Sequence, residues 1–190
     1  MISVSTIVVF ILTILFLIAS TLLGTQTVVE QTTNPTKVAN INPNISKITE
    51  DLYLTNFPNA KDYDALRALG VRQILTIGSE LPRHGEPFFK VMHIKLDDMP
   101  TEPIKKYFNQ TYDFIKRDKT VVHCAAGISR SATIVAAYLM RKYGLTRDKA
   151  LAHIFDRRPI INPNSGFKEQ LKQFETEIAN ADSNPASTNT

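Results

Sequence analysis

The chain has 190 residues, a length that suits one compact domain with appended segments and argues against two domains. Its 22 basic and 18 acidic side chains give a net charge of +4, a mild and dispersed excess. That excess suits an anionic substrate and argues against nucleic acid, which needs a clustered basic face. The single cysteine, Cys124, excludes an intramolecular disulfide, and the four histidines add no zinc-ligand spacing. We therefore expect no metal site and no cofactor.

An uncharged apolar segment begins the chain. Residues 2–23 carry no charged side chain, and the first one after them is Glu30. These 22 residues would span roughly 33 Å as a helix, enough for a hydrocarbon core of about 30 Å. We predict a single-pass membrane anchor over residues 1–24, with the globular domain in the cytosol. A cleaved signal peptide and a secreted protein are the alternative, since Ala19 and Gly24 suit a cleavage site.

Two polar segments flank the globular part. Residues 25–44 contain two Asn-Pro steps, which favour turns and break helices, so we predict a flexible linker there. Residues 179–190 have the composition of a disordered tail. The globular domain is therefore expected over residues 45–178.

Strands and helices alternate along this domain. Short apolar runs predict strands, and apolar stripes at helical spacing predict helices. The predicted strands cover residues 52–54, 71–77, 89–96 and 120–124. The predicted helices cover residues 60–70, 104–117, 131–144, 146–158 and 166–178. The order predicts an α/β fold with a central, mostly parallel sheet flanked by helices.

The segment between the strand at 120–124 and the following helix reads HCAAGISRS. A loop that enters a helix N-terminus points successive backbone amides at one spot and adds the positive end of the helix dipole, forming an anion cradle. Gly127 permits the sharp turn, and Arg130 supplies a planar fork for two phosphate oxygens. The same groups favour the thiolate of Cys124, which can attack a bound phosphorus in line.

This stretch resembles the signature of the protein tyrosine phosphatase superfamily: His-Cys, five residues, Arg, then Ser or Thr. The run AGISRSATI, followed by AAYLM, is similar to the dual-specificity branch in particular. Further similarity at residues 52–54 and 158–171 extends the resemblance over about residues 45–178. It implies a phosphatase that hydrolyses phosphotyrosine and phosphoserine or phosphothreonine in proteins through a cysteinyl-phosphate. We expect a monomer.

The resemblance also implies roles for single residues. Cys124 would be the nucleophile and Arg130 the phosphate clamp. Ser131 would donate to the departing thiolate, and His123 would orient the loop. The substrate phosphate would bind at Ala125, Ala126, Gly127, Ile128, Ser129 and Arg130.

The family also requires a general acid, which would protonate the leaving group. Asp98 falls on the family's acid position when residues are counted back from the aromatic pair Tyr107-Phe108. Asp97 is the alternative, and Glu102 is the next candidate on the same segment.

Other roles and functions stay open at this stage. Asn164 either braces the loop or is an ordinary turn residue. Arg157 and Arg158 either contact a second substrate anion or form a solvated helix end. A phosphatase of phosphoinositides or RNA 5′-ends is the alternative enzyme, although lipid phosphatases of this superfamily tend to carry Lys in the loop. A binding module without turnover is the third possibility, against which the retained cysteine, arginine and acid all argue.

Overall fold

A computed structural model describes residues 44–183 of the chain. The predicted anchor at residues 1–24, nearly all of the predicted linker and residues 184–190 of the predicted tail lie outside the described residues. Between residues 44 and 183, no helix combines the length and the apolar character needed to cross a bilayer.

Five strands form a single mixed sheet. They are β1 (Ser46–Thr49), β2 (Leu52–Asn56), β3 (Gln73–Ile77), β4 (Lys90–Ile94) and β5 (Thr120–Cys124), and their order in the sheet is β1-β2-β5-β3-β4. The central strand β5 pairs in parallel with β2 and β3, and β3 pairs in parallel with β4. The predicted mostly parallel sheet is thus confirmed for these pairs, while the edge strand β1 runs antiparallel to β2.

Six α-helices complete the described domain. They are α1 (Phe57–Ala60), α2 (Tyr63–Ala68), α3 (Phe108–Ile115), α4 (Arg130–Tyr143), α5 (Arg147–Phe155) and α6 (Ser165–Ser183). A 3-10 turn, Ile104–Tyr107, leads into α3, where one continuous helix had been predicted. The helix α6 continues to Ser183, past the predicted tail boundary at residue 179, because no helix breaker precedes Pro185.

The sheet carries an apolar core on each face. Successive side chains of a strand point to opposite faces, so Leu52 and Leu54 of β2 join one core while Tyr53 joins the other. Residues of α3, α4, α5 and α6 cover the larger core, and residues of α2 cover the smaller one. Strand β5 is buried along its whole length, including its polar residues Thr120 and His123, as expected for a central parallel strand.

The parallel strands place four loops at one edge of the sheet. The carboxyl ends of parallel strands share an edge, where ligands bind in open α/β folds. The segments that follow β2, β3, β4 and β5 therefore lie close together. They contain Phe57, the loop of residues 78–89, Asp98 and the loop of residues 125–129, respectively.

Candidate active site

The predicted nucleophile lies at the base of the loop after β5. Cys124 is the last residue of that strand, and its side chain is buried. The Gly127 backbone N–H donates to the Cys124 sulfur at 3.3 Å, and the Ser131 hydroxyl oxygen lies 3.1 Å from the same sulfur. The sulfur therefore has a backbone donor and a side-chain donor within reach.

The backbone carbonyls of this loop are all bound by groups outside the cradle. The acceptors are the six consecutive oxygens of residues 124–129, and their donors are His123 Nδ1, Phe57 N, Arg158 Nη2, Arg158 Nε, Asn162 N and Thr133 N. In a trans peptide the N–H points opposite to the preceding C=O. The N–H groups of residues 125–130 are consequently turned inward, as an anion-binding loop requires.

Gly127 makes this turn possible. Its φ of +67° lies in the left-handed region, which is open to glycine and costly for other residues. A Cβ at this position would lie 2.4 Å from the Thr55 carbonyl oxygen on the neighbouring strand. Both the conformation and the close approach therefore require glycine here.

Arg158 is a loop-positioning residue that the sequence did not identify. Its side chain is buried, with Nε 2.8 Å from the Gly127 carbonyl oxygen and Nη2 3.3 Å from that of Ala126. Burial lowers its pKa against the opposing effect of Cys124, yet an arginine remains cationic at neutral pH. Neither predicted role fits these contacts, whereas the neighbouring Arg157 is exposed and donates to the His153 carbonyl oxygen.

Arg130 begins α4 and is held by an acidic residue from another loop. Its Nη1 and Nη2 atoms donate to the two carboxylate oxygens of Glu80 at 2.8 and 2.6 Å, and Nη1 also reaches the Leu96 carbonyl oxygen. Burial opposes the charged form of Arg130, but the hydrogen bond to Glu80 together with the charges of Cys124, Glu80 and Asp98 outweighs it, and the pKa is raised. The hydrogen bond from Arg130 in turn lowers the pKa of Glu80.

This pairing orients the guanidinium. Glu80 binds the end of the guanidinium that the two Nη atoms form. The edge formed by Nε and the second N–H of Nη2 is turned away from Glu80 and can bind a ligand. Within residues 44–183, Nε is buried and makes no hydrogen bond. That edge can donate in parallel to two oxygens of a phosphate.

Asp98 accepts two hydrogen bonds, one from the loop after β5 and one from the residue that precedes α6. Its Oδ1 accepts from the Ser129 hydroxyl at 2.7 Å and from Asn164 Nδ2 at 2.9 Å, while its Oδ2 lies 3.7 Å from Arg130 Nε. Asn164 also accepts from the Phe167 N–H at the start of α6. Asn164 therefore acts as the predicted turn residue, since it caps the first turn of α6. Its side chain braces Asp98, and its backbone N–H contacts the loop at the Ser129 hydroxyl oxygen.

The other two candidate acids lie apart from this network. Asp97 is exposed, and among the described residues no hydrogen bond connects it with the loop after β5. Glu102 contributes its backbone to the turn that precedes α3, where its carbonyl oxygen accepts from Gln170. The structure therefore brings Asp98, and neither of the alternatives, next to Arg130.

His123 lies on the opposite face of β5 from Cys124. Its Nδ1 is 3.3 Å from the Cys124 carbonyl oxygen, and its Nε2 is 2.8 Å from Thr76 Oγ1 and 2.9 Å from His84 Nε2. Burial, reinforced by His84 and opposed by the bond to the Cys124 carbonyl, lowers the pKa of His123 to about 3. The ring is therefore neutral at pH 7 and can bind the loop without taking part as a base.

Known proteins are similar to this chain over the described domain. The family model of the dual specificity phosphatase catalytic domain matches residues 52–177. Dual specificity protein phosphatase 1-B of Xenopus laevis is 41% identical over 132 residues, which cover 67% of this chain and 36% of that protein. Dual specificity protein phosphatase 14 of Mus musculus is 37% identical over 139 residues, covering 70% of each. This chain thus spans about a third of the length of the first relative.

A solved structure agrees with the sequence comparison. The crystal structure of DUSP15 superposes with a TM-score of 0.65 at 35% identity, covering 72% of this chain and 95% of that one. The residues that the family model matches, 52–177, include the cradle, Cys124, Arg130 and Asp98. They match the catalytic domain of the dual specificity phosphatases, and the chain belongs to that family.

Proposed function

We propose that this chain hydrolyses phosphotyrosine and phosphoserine or phosphothreonine in proteins, with Cys124 as the nucleophile. The observation that carries the proposal is that the six loop carbonyls accept from donors outside the cradle. This leaves the N–H groups of residues 125–130 turned inward, where the Gly127 N–H reaches the Cys124 sulfur. A dianionic phosphoryl group is the ligand that such a ring of donors suits.

The first step would transfer the phosphoryl group to sulfur. The Cys124 thiolate attacks phosphorus, the bond to the leaving oxygen breaks, and that oxygen takes a proton. Asp98 is the donor of that proton, and Oδ2 is the oxygen that would deliver it, because Oδ1 already accepts from Ser129 and Asn164. The Nε–Nη2 edge of Arg130 binds two equatorial oxygens of the phosphoryl group.

The second step would release phosphate. Water attacks the cysteinyl-phosphate, Asp98 takes a proton from that water, and the sulfur–phosphorus bond breaks. The Ser131 hydroxyl, 3.1 Å from sulfur, donates to the thiolate as it leaves. The Gly127 N–H gives it a second donor. The nucleophile is thereby regenerated without a separate base.

A phosphopeptide substrate fits the loop better than a polyanionic head group. Ala125, Ala126 and Ile128 bring no charge to the cradle, so Arg130 is its cation for a single phosphate. No contact of the described residues favours a phosphoinositide or an RNA 5′-end. We therefore keep phosphoproteins as the substrate class.

The test uses sequence-matched phosphopeptides that carry phosphotyrosine or phosphothreonine. Wild-type protein should release phosphate from both, and rapid acid quenching should show a phosphate bound covalently through sulfur. Cys124→Ser keeps the size of the side chain but replaces the thiolate by an alcohol that stays protonated. It should lose both turnover and the covalent intermediate. Activity within tenfold of wild type in Cys124→Ser would contradict the proposal.

We also propose that residues 1–24 anchor the chain in a membrane as a single-pass helix, with the catalytic domain in the cytosol. The support is the uncharged run of residues 2–23. Alkaline carbonate extraction should leave the full chain in the membrane pellet. A mature N-terminus near residue 25 would contradict the anchor and indicate a cleaved signal peptide.

A further inference from the structure

The loop between β3 and β4, residues 78–89, contacts both ends of the segment 123–131, which contains the cradle. Glu80 of this loop binds Arg130. Four residues later, the partly buried ring of His84 packs against His123, with the ring centroids 4.9 Å apart. One loop therefore supports both the arginine and the histidine that flank the cradle.

Aromatic rings enclose this histidine pair. The Phe57 ring centroid lies 5.4 Å from that of His84 and 5.9 Å from that of His123, and the Tyr63 ring stacks on His84. The Phe57 backbone N–H also donates to the Ala125 carbonyl oxygen of the cradle. The two histidines and Phe57 therefore pack as one cluster against the loop after β5.

The protons of this cluster can be assigned from the hydrogen-bond partners. The Cys124 carbonyl oxygen can only accept, so His123 Nδ1 carries a proton. Since His123 is neutral, its Nε2 is a bare acceptor, and His84 Nε2 at 2.9 Å must donate to it. Tyr63, whose hydroxyl oxygen lies 3.1 Å from His84 Nδ1, then donates to that nitrogen.

Thr76 alone does not select this arrangement. Its hydroxyl, 2.8 Å from His123 Nε2, can donate or accept and so suits either tautomer of His123. The Tyr63 hydroxyl can likewise donate or accept, so the tautomer of His84 follows from the whole chain of bonds: with Tyr63 donating to Nδ1, the proton of His84 is on Nε2 and faces His123. Burial, followed by the charges of Lys61 and His93, lowers the pKa of His84, which keeps its Nδ1 free to accept.

We propose that His84 is a positioning residue for the phosphatase reaction. Its Nε2–H holds His123 in the tautomer with the proton on Nδ1, and that proton keeps the Cys124 carbonyl turned away from the cradle. Without the donor, His123 can place its proton on Nε2 and bond to Thr76. A bare Nδ1 would then face the Cys124 carbonyl oxygen, and the first peptide of the cradle would lose its anchor.

The kinetic part of this inference rests on the proposed phosphatase activity, whereas its spectroscopic part does not. His84→Phe removes the donor and keeps an aromatic ring, and His84→Gln keeps an N–H donor. Long-range ¹H–¹⁵N correlation spectra of the full chain labelled at its four histidines report each tautomer directly. His84→Phe should shift His123 toward the Nε2–H tautomer and lower kcat for an aryl phosphate about threefold to tenfold. His84→Gln should restore both quantities toward wild type.

His153→Phe is the matched control, because that partly buried ring bonds to the Ile48 carbonyl oxygen, away from the cluster. It should leave the His123 tautomer and kcat unchanged. If His84→Phe does not fold, Tyr63→Phe removes a single hydroxyl and should give mixed tautomers of both His84 and His123. An unchanged His123 tautomer in the folded variant would overturn the inference. A wild-type chain with the expected tautomer but no phosphate release would instead contradict the proposed function.

Discussion

Asp98→Asn tests the proposed proton transfer with little disturbance of the fold. The Asn side-chain oxygen can still accept from Ser129 and Asn164, which bind Oδ1 at 2.7 and 2.9 Å in the wild-type protein. The substitution therefore removes the proton and keeps the two braces. We expect kcat on a phosphothreonine peptide to fall by about 10²- to 10³-fold, or roughly 2.7–4.1 kcal/mol of transition-state stabilisation. KM should change little.

The leaving group provides the sharper assay. A very acidic phenol departs without a proton, so the loss in Asp98→Asn should shrink for such an aryl phosphate. Asp97→Asn is the matched control and should cost less than threefold on either substrate, because Asp97 is exposed and outside the network. The assignment is wrong if Asp97→Asn shows the dependence on the leaving group, or if Asp98→Asn loses the same factor on both substrates.

Three further substitutions test the supports of the site. Glu80→Gln replaces one of the two oxygens that accept from Arg130 by an amide donor, so KM for an aryl phosphate should rise about fivefold. An unchanged KM would refute the pairing of Glu80 with Arg130. Gly166→Ala places a Cβ 1.9 Å from the Pro100 carbonyl oxygen, so phosphothreonine turnover should fall more than aryl phosphate turnover. Equal losses on the two substrates would mean that the substitution does not displace the segment that contains Asp98. Arg158→Lys keeps the charge but replaces a planar fork, which reaches two loop carbonyls from separate nitrogens, by a single nitrogen on a flexible stem. Inorganic phosphate should therefore inhibit about tenfold more weakly, and unchanged inhibition would refute the role of Arg158.

The nucleophile and its cradle were predictable from the sequence because their determinants are local. Residues 123–131 follow one buried strand and open one helix, and backbone geometry then dictates where the amides of the loop point. Asp98 could be assigned because the helix after it fixed the spacing. Its two hydrogen bonds, to Ser129 and Asn164, lie 31 and 66 positions away in sequence, and no spacing rule predicts them.

The supporting residues escaped prediction because they act through the topology of the sheet. Glu80 and His84 belong to the segment after β3, which has no regular pattern, and their partners are 50 and 39 positions away. Glu80 and His84 lie at the same edge of the sheet as the loop after β5, because β3 and β5 pair in parallel. The sequence around Arg158 is typical of a solvated helix end, but Arg158 is buried and donates to the Asn44 carbonyl oxygen and the Ser46 hydroxyl, both more than 100 positions away. The strand β1 was missed because four residues with one buried side chain show no alternation.

A final prediction concerns the loss of folding stability at acid pH, to which we expect His123 to contribute. Burial lowers its folded-state pKa to about 3, below the ordinary value of about 6.5 that holds in the unfolded chain. Between these values the unfolded state binds a proton that the folded state does not, so stability falls as pH falls. The slope from this one group is about 1.4 kcal/mol per pH unit below pH ~6.5.

The measurement is the free energy of urea-induced unfolding at pH 7, 6, 5 and 4, compared between wild type and His123→Asn. The Asn amide can still donate to the Cys124 carbonyl oxygen but does not titrate, so this part of the slope should disappear even if the variant is less stable throughout. His153→Asn controls for the loss of an imidazole at a partly exposed position and should keep most of the wild-type slope. Parallel curves for wild type and His123→Asn would mean that His123 is not held neutral by the fold, and they would also remove the basis for treating its Nε2 as a bare acceptor.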